Sequence, residues 1–276
     1  MTICCHGELI DLDTPRIMGI LNRTPDSFYA GSRQADTASA LAAAGTMLEE
    51  GADFLDLGGY SSRPGATDIS EEEEIRRVVP LVGKLVQAFP GVRISVDTFR
   101  SRVAREALDA GAAMVNDISG GQQDPGMLPL IAERQVPIIL MHMRGTPRDM
   151  TTLTQYDDLI RDVLRYFSER LAAARALGIT DLIADPGIGF AKTREQSFEL
   201  LAKLDAFSLL EVPLLAGLSR KSMIYKTLGT APEEALNGTT ALHMLALEGG
   251  ANLLRVHDVK AAAECVKLWE AVKAAR

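Results

Sequence analysis

Eight apolar runs in this chain end on polar side chains: Asn22 after IMGIL, Asp56 within FLDLGG, Asp97 after RISV, Asn116 after AAMV, His142 after IILM, Asp185 after DLIA, Ser219 after PLLAGL, and Arg255 with His257 in LLRVHD. Together they offer carboxylates, amides, imidazoles, a hydroxyl and a guanidinium, enough to grip a polar ligand from several sides. Asp97, Asn116 and Asp185 carry acceptors that would ring the edge of a flat heterocycle rich in N–H donors. The same two carboxylates would also serve as a metal pair or as a general acid and base, and each alone could cap the helix after it. Arg255 and His257 stand two apart on one strand, so both point the same way. With Arg63 and the run Ser219-Arg220-Lys221-Ser222 they could hold a phosphate or diphosphate. The plainer reading makes Arg255 an ion-pairing residue on a rim. Asn22 offers a hard oxygen of the kind Mg2+ takes together with phosphate oxygens, or else it starts an Asx turn before Thr24-Pro25. The glycines of Asp185-Pro186-Gly187-Ile188-Gly189-Phe190 allow backbone to come close to a ligand. His6, His142 and His243 have no evident partner and read as structural.

Groups so far apart in sequence meet only if the strands beneath them converge. The apolar runs predict strands near 16–22, 54–59, 93–98, 114–119, 137–142, 182–187, 213–219 and 253–258. Helix-like stretches separate them, at about 36–51, 71–89, 100–111, 125–134, 156–178, 194–206, 232–249 and 259–275. Consecutive βα units imply a parallel sheet. A doubly wound sheet is the alternative, but eight units favour an α/β fold closed into a (β/α)8 TIM barrel, whose active site lies at the C-terminal strand ends. Asp36 or Thr37 is expected to cap the first helix, and Ser70 followed by Glu71 to Glu74 marks the start of the second, where the macrodipole favours acids. Residues 3–13 are expected to form a short hairpin closing the bottom of the barrel. Two βα connections, 23–36 and 60–70, exceed what a linker needs and read as lids on the active face. The stretch after His142, MRGTPRDMT, reads as a rim loop.

At 276 residues the chain suits one large domain over 1–276, and a hydrophobic fraction of 47% suits a packed core. A net charge of −8 argues against nucleic acid as the main ligand, while leaving room for a small anion held by a few local cations. No apolar run approaches the roughly 18 residues of a membrane span. The first residues lack the pattern of a signal peptide, and Cys4, Cys5 and Cys265 read as unpaired thiols of a cytoplasmic protein.

The stretches MGILNRTPDSF (18–28), FLDLGGYSSRPGA (54–66), ISVDTFR (94–100), MVNDISGG (114–121), IILMHMRGTP (138–147), DPGIGFAK (185–192), LLAGLSRKSMI (214–224) and RVHDV (255–259) resemble, in order and over nearly the whole chain, the dihydropteroate synthase family. DPGIGF, SRKS and RVHDV together make the resemblance specific. It implies a (β/α)8 barrel that joins 4-aminobenzoate to 6-hydroxymethyl-7,8-dihydropterin diphosphate in folate biosynthesis, releasing diphosphate. By that likeness Asp97, Asn116, Asp185 and Lys221 would bind the pterin, and Asn22 would bind Mg2+ with the diphosphate. Arg255 and His257 would hold the diphosphate, with Arg255 also against the pterin face. Ser62, Arg63, Pro64, Phe190, Lys221 and Ser222 would surround aminobenzoate, and Phe28 would belong to the first loop. A homodimer and sensitivity to sulfonamides are further implications.

The chain departs from the family pattern in both long loops. Tyr29-Ala30 stands where the first loop usually has Asp after Phe-Ser, and Tyr60-Ser61-Ser62 replaces Glu-Ser-Thr. Ser62 keeps the hydroxyl and loses a methyl. A pterin-binding methyltransferase would share the barrel but lack the SRKS lysine and the RVHD grip. A non-catalytic pterin binder would not need Asn22, Arg63, Lys221, Arg255 and His257 intact.

Overall fold

The computed structural model describes residues 1–22, 33–61 and 68–276, and for Asn22 and residues 33–36 the backbone alone. The chain opens with a hairpin of β1 (Thr2–Cys5) and β2 (Glu8–Asp11), turning through His6 and Gly7, both at positive φ (50° and 76°). Then follow β3 (Arg16–Asn22), α1 (Arg33–Glu49), β4 (Phe54–Gly58), α2 (Glu71–Ala88), β5 (Ile94–Asp97), α3 (Ser101–Asp109), β6 (Met114–Asp117), α4 (Met127–Arg134) and β7 (Ile138–Met141). The second half runs α5 (Leu159–Ala176), β8 (Leu182–Asp185), α6 (Arg194–Ala202), β9 (Leu215–Ala216), α7 (Ser222–Leu228), α8 (Leu236–Glu248), β10 (Leu253–Val256) and α9 (Val259–Ala274).

Eight parallel strands pair in the order β8-β7-β6-β5-β4-β3-β10-β9. A parallel bridge from Ala184 to Leu214 joins the two ends, and Ala184 N donates to Pro213 O at 2.9 Å. The sheet therefore closes as a (β/α)8 barrel, and the doubly wound alternative falls. No helix among the described residues is long and apolar enough to cross a membrane.

Period-two alternation gives each strand two destinies. Ile17, Leu55, Val96, Val115, Leu140, Ala184 and Leu254 join the layer between barrel and helices. Met18, Phe54, Met114, Ile139, Ile183, Leu215 and Leu253 point inward and form a separate cluster with Ile3, Cys5, Ile10 and Leu12 of the hairpin. The hairpin thus plugs the bottom, as expected. One step of two further along four of the strands, the inner face turns polar: Phe54 to Asp56, Met114 to Asn116, Ile183 to Asp185, Leu253 to Arg255. A dry floor beneath a polar ring follows from the alternation alone.

Several boundaries differ from the expected ones. α1 starts at Arg33, so Asp36 and Thr37 lie inside it rather than capping it. The buried alanines of that helix, Ala40 and Ala44, begin after its polar first turn, which left no periodic signal there. β9 keeps only two residues where seven were expected, because the chain after Ala216 turns at once toward Lys221, whose N–H bonds Leu218 O at 3.1 Å. α6 stops at Ala202 and a 3-10 turn, Leu204–Leu210, takes over. α8 begins at Leu236 after a separate 3-10 turn, Pro232–Glu234. Ser70 caps α2 as read, its Oγ accepting from Glu73 N at 3.2 Å.

Candidate active site

At the C-terminal end of the barrel, Arg255 is the central group. Its Nε donates to Asp56 Oδ2 at 2.5 Å and its Nη2 to Asp97 Oδ2 at 2.7 Å. Asn116 Nδ2 donates to the same Asp56 oxygen at 3.0 Å. Asp56 is fully buried, and its Oδ1 has no hydrogen-bond partner among the described residues. The ends of β10, β4, β5 and β6 thus converge, and Arg255 does form ion pairs as the plainer reading had it, but with carboxylates inside the mouth of the barrel. Burial opposes the guanidinium charge, yet the carboxylates of Asp56 and Asp97 outweigh it and hold the proton more firmly than usual. Burial also lifts the Asp97 carboxyl above the ordinary range, opposed by Arg255 and helped by Asp56. Because Asn116 spends its NH2 on Asp56, its amide oxygen remains an acceptor for a ligand.

Across the mouth, Asp185 ends β8 and accepts Gly187 N at 2.8 Å, which starts a tight turn with Gly187 and Gly189 at φ 68° and 82°. A Cβ on Gly187 would overlap the His142 carbonyl, so this close approach requires glycine. Burial raises the Asp185 carboxyl, with Lys221, the Gly187 N–H and Arg255 opposing. Lys221 Nζ donates to Ile188 O and lies 4.5 Å from the Phe190 ring centroid. Burial lowers Lys221 to about 8, Arg255 adding to the effect and Asp185 resisting it. Phe190 and Phe99 pack on a small apolar cluster of Ile118, Met141, Met143, Met150 and Ala191. The mouth therefore has a polar ring on one side and aromatic faces on the other.

His257, exposed, takes a 3.1 Å bond from its N–H to Ser219 Oγ and a second 3.1 Å contact through Nδ1. Ser222 is exposed at the first residue of α7. Arg220 corrects the sequence reading of SRKS as a shared anion grip. It turns away, pairing bidentately with Asp258 at 2.8 Å on each arm and with the carbonyls of Pro232 and Glu233. Ser62, Arg63, Pro64, Asp26, Phe28 and Ala30 lie outside the described residues. The stem residue Tyr60, the family's glutamate position, meets Phe99 edge-on at 5.2 Å and lies 5.4 Å from the Arg100 guanidinium. Arg100 pairs with the buried Glu74 at 2.7 Å.

Asn22 ends β3 in register with Gly58, and its side chain lies outside the described atoms. Among the described residues no group of three or more His, Cys, Asp or Glu could hold a metal ion. An amide oxygen is one of the hard donors that Mg2+ takes alongside phosphate oxygens. The sequence reading missed two residues. Asp56 stood among the strand ends but was given no role, and Lys192 ends a motif without being weighed. The inward register of Phe54 and Asp56 was the available signal for the first.

A closed barrel with a polar ring, a buried arginine and a lysine-bearing turn at its C-terminal mouth defines a TIM-barrel enzyme. Residues 18–257 match the pterin binding enzyme family. The dihydropteroate synthase of Escherichia coli (strain K12) is 42% identical over 278 residues, covering 100% of this chain and 98% of that protein. The Yersinia pestis dihydropteroate synthase solved with a sulfonamide drug superposes with a TM-score of 0.93 at 42% identity, covering 99% of this chain and 100% of the other. The Xanthomonas albilineans enzyme superposes at 0.92 in its 4-aminobenzoic acid complex (45% identity; 99% and 98% covered). In its 7,8-dihydropteroate complex it superposes at 0.89 (42%; 99% and 99%). This chain belongs to the pterin-binding enzyme family, in its dihydropteroate synthase branch, and is a transferase of that type.

Proposed function

We propose that the barrel joins 6-hydroxymethyl-7,8-dihydropterin diphosphate to 4-aminobenzoate, giving 7,8-dihydropteroate and diphosphate. The supporting observation is the ring of Asp97, Asn116 and Asp185 around a mouth that also holds Arg255 and Lys221. The three acceptors and Lys221 hold the edge of the pterin, and Arg255 lies against its face. Arg255, His257 and Asn22 grip the diphosphate. Phe190, Lys221 and Ser222, with Ser62, Arg63 and Pro64 of the second loop, surround the amine. Asn22 would hold Mg2+ together with the diphosphate, and the ion would supply positive charge to the leaving group.

The reaction follows from these placements. The bond from the pterin methylene carbon to the diphosphate oxygen breaks, its electron pair leaving with diphosphate, because the electron-rich ring stabilises a cation at that carbon. Arg255 and His257 stabilise the charge that develops on the departing oxygens. The aniline nitrogen then donates its lone pair to the carbon and releases a proton, so no strong general base is needed. The long loops keep water from taking the carbon first. Transfer of labelled 4-aminobenzoate into dihydropteroate by the purified protein tests this reading; absence of product would refute it.

A pH dependence follows. Lys221 carries its charge below about pH 8 and loses it above. Asp97 and Asp185, raised by burial, take up protons from the acid side. A bell-shaped kcat/KM profile is expected, with the alkaline limb near 8. In Lys221→Arg, whose guanidinium stays charged, the residual activity should lose that limb; an unchanged limb would assign it to another group. A homodimer is proposed through α8 and α9, which expose Leu245, Leu268 and Val272. Sedimentation at monomer mass would remove it.

A further inference from the structure

The turn from Asp185 to Lys192 is held from below by a side chain that the proposed chemistry does not use. Lys192 is buried, with 8% of its surface exposed. Its Nζ donates to Gly187 O and to Phe190 O, both at 3.0 Å, and meets His142 Nδ1 at 2.9 Å. Lys221 takes the Ile188 carbonyl, and Tyr156 Oη donates to Ala191 O at 2.8 Å. Side chains therefore engage the carbonyls of Gly187, Ile188, Phe190 and Ala191. His142 is anchored in turn: its N–H bonds Asp185 O at 2.9 Å, and its ring meets Tyr166 edge-on at 4.8 Å.

The contacts around Lys192 survive a change in its protonation. Burial pushes its pKa well down, with Lys221 and Arg144 acting the same way and Asp185 opposing. His142, driven to about 2 by burial and by Lys192, stays neutral. An ammonium donates to both carbonyls and to Nδ1. A neutral amine still donates to both carbonyls and accepts from Nδ1–H, because the imidazole can exchange tautomers. A methionine would fill the same space without desolvating an amine, but it could not tie two carbonyls of the turn to the β7 strand end.

We infer that Lys192 is a positioning residue for the condensation, clamping the 185–192 turn to His142 so that Phe190 faces the incoming aromatic amine. The inference rests on the function proposed above. It concerns the amine side of the site chiefly, because Phe190 lies on the clamped turn whereas the backbone of Asp185 is also held by the β7–β8 ladder.

Lys192→Met and Tyr156→Phe are compared with wild type in steady state. Misplacement of a positioning element by an ångström can cost about 10²-fold. Lys192→Met is therefore expected to raise KM for 4-aminobenzoate at least tenfold. KM for the pterin diphosphate should stay within about threefold, and Tyr156→Phe should give a smaller shift of the same kind. In Lys192→Ala, n-propylamine, which replaces the missing atoms, should restore the aminobenzoate KM; it should do nothing for Lys192→Met. Equal KM rises for both substrates, or none, would overturn the inference. If Lys192→Met fails to fold, the Tyr156→Phe split decides. Calorimetric binding of 4-aminobenzoate to wild type with diphosphate present separates the two possible failures. No binding to wild type overturns the proposed function and this clamp with it, whereas equal binding to wild type and Lys192→Met overturns the clamp alone.

Discussion

Arg255→Ala is expected to lose turnover by about 10³-fold and folding stability by about 3 kcal/mol. The rate loss follows from removing the cation placed to meet diphosphate and pterin together. The stability loss follows from leaving Asp56 and Asp97 facing each other, with Asp56 fully buried. The figure sits at the low end for a buried pair, since Arg255 keeps 21% of its side chain exposed. Free pterin should also bind less tightly, because an unneutralised Asp97 takes up a proton, which turns one oxygen into an O–H donor and leaves a weaker acceptor for the pterin N–H groups. Adding Asp56→Asn should restore much of the melting temperature and none of the rate. A single variant with unchanged melting temperature would show that the Arg255 ion pairs do not hold in solution.

Lys221→Ala is expected to reduce kcat/KM by about 10²- to 10³-fold, the scale of losing one charged contact in a closed site. Two effects combine. The amine beside Asp185 disappears, and the Ile188 carbonyl loses its donor, which loosens the Phe190 turn. Steady-state kinetics with both substrates varied should show both KM values rising together with a fall in kcat, unlike the one-sided effect expected of Lys192→Met. Turnover within about tenfold of wild type would remove Lys221 from the mechanism.

How far the sequence carried these conclusions depended on where the signal was local. The barrel was legible because eight apolar runs of strand length recur, and each ends in a polar residue. The meeting of Asp97, Asn116, Asp185 and Arg255 was legible for the same reason. Asp56 was not, because a carboxylate inside FLDLGG looks like any strand-end turn until Arg255, 199 residues later, is seen to bond it. Arg220 misled because adjacent cations in SRKS look alike in sequence, whereas the turn before α7 sends one inward and the other to Asp258. Lys192 was hidden because a lysine at a loop end is normally solvated, and only tertiary contact with His142 shows it buried. The start of α1 and the shortness of β9 depended on backbone turns that apolar periodicity does not report.

The most direct measurement is diphosphate release from the purified protein supplied with the pterin diphosphate and Mg2+, with and without 4-aminobenzoate, alongside the yield of dihydropteroate. The account predicts fast release with the amine present, matched one for one by dihydropteroate, and much slower release without it. Pterin binding without diphosphate release under either condition would contradict it and leave a barrel that holds the heterocycle without condensing it.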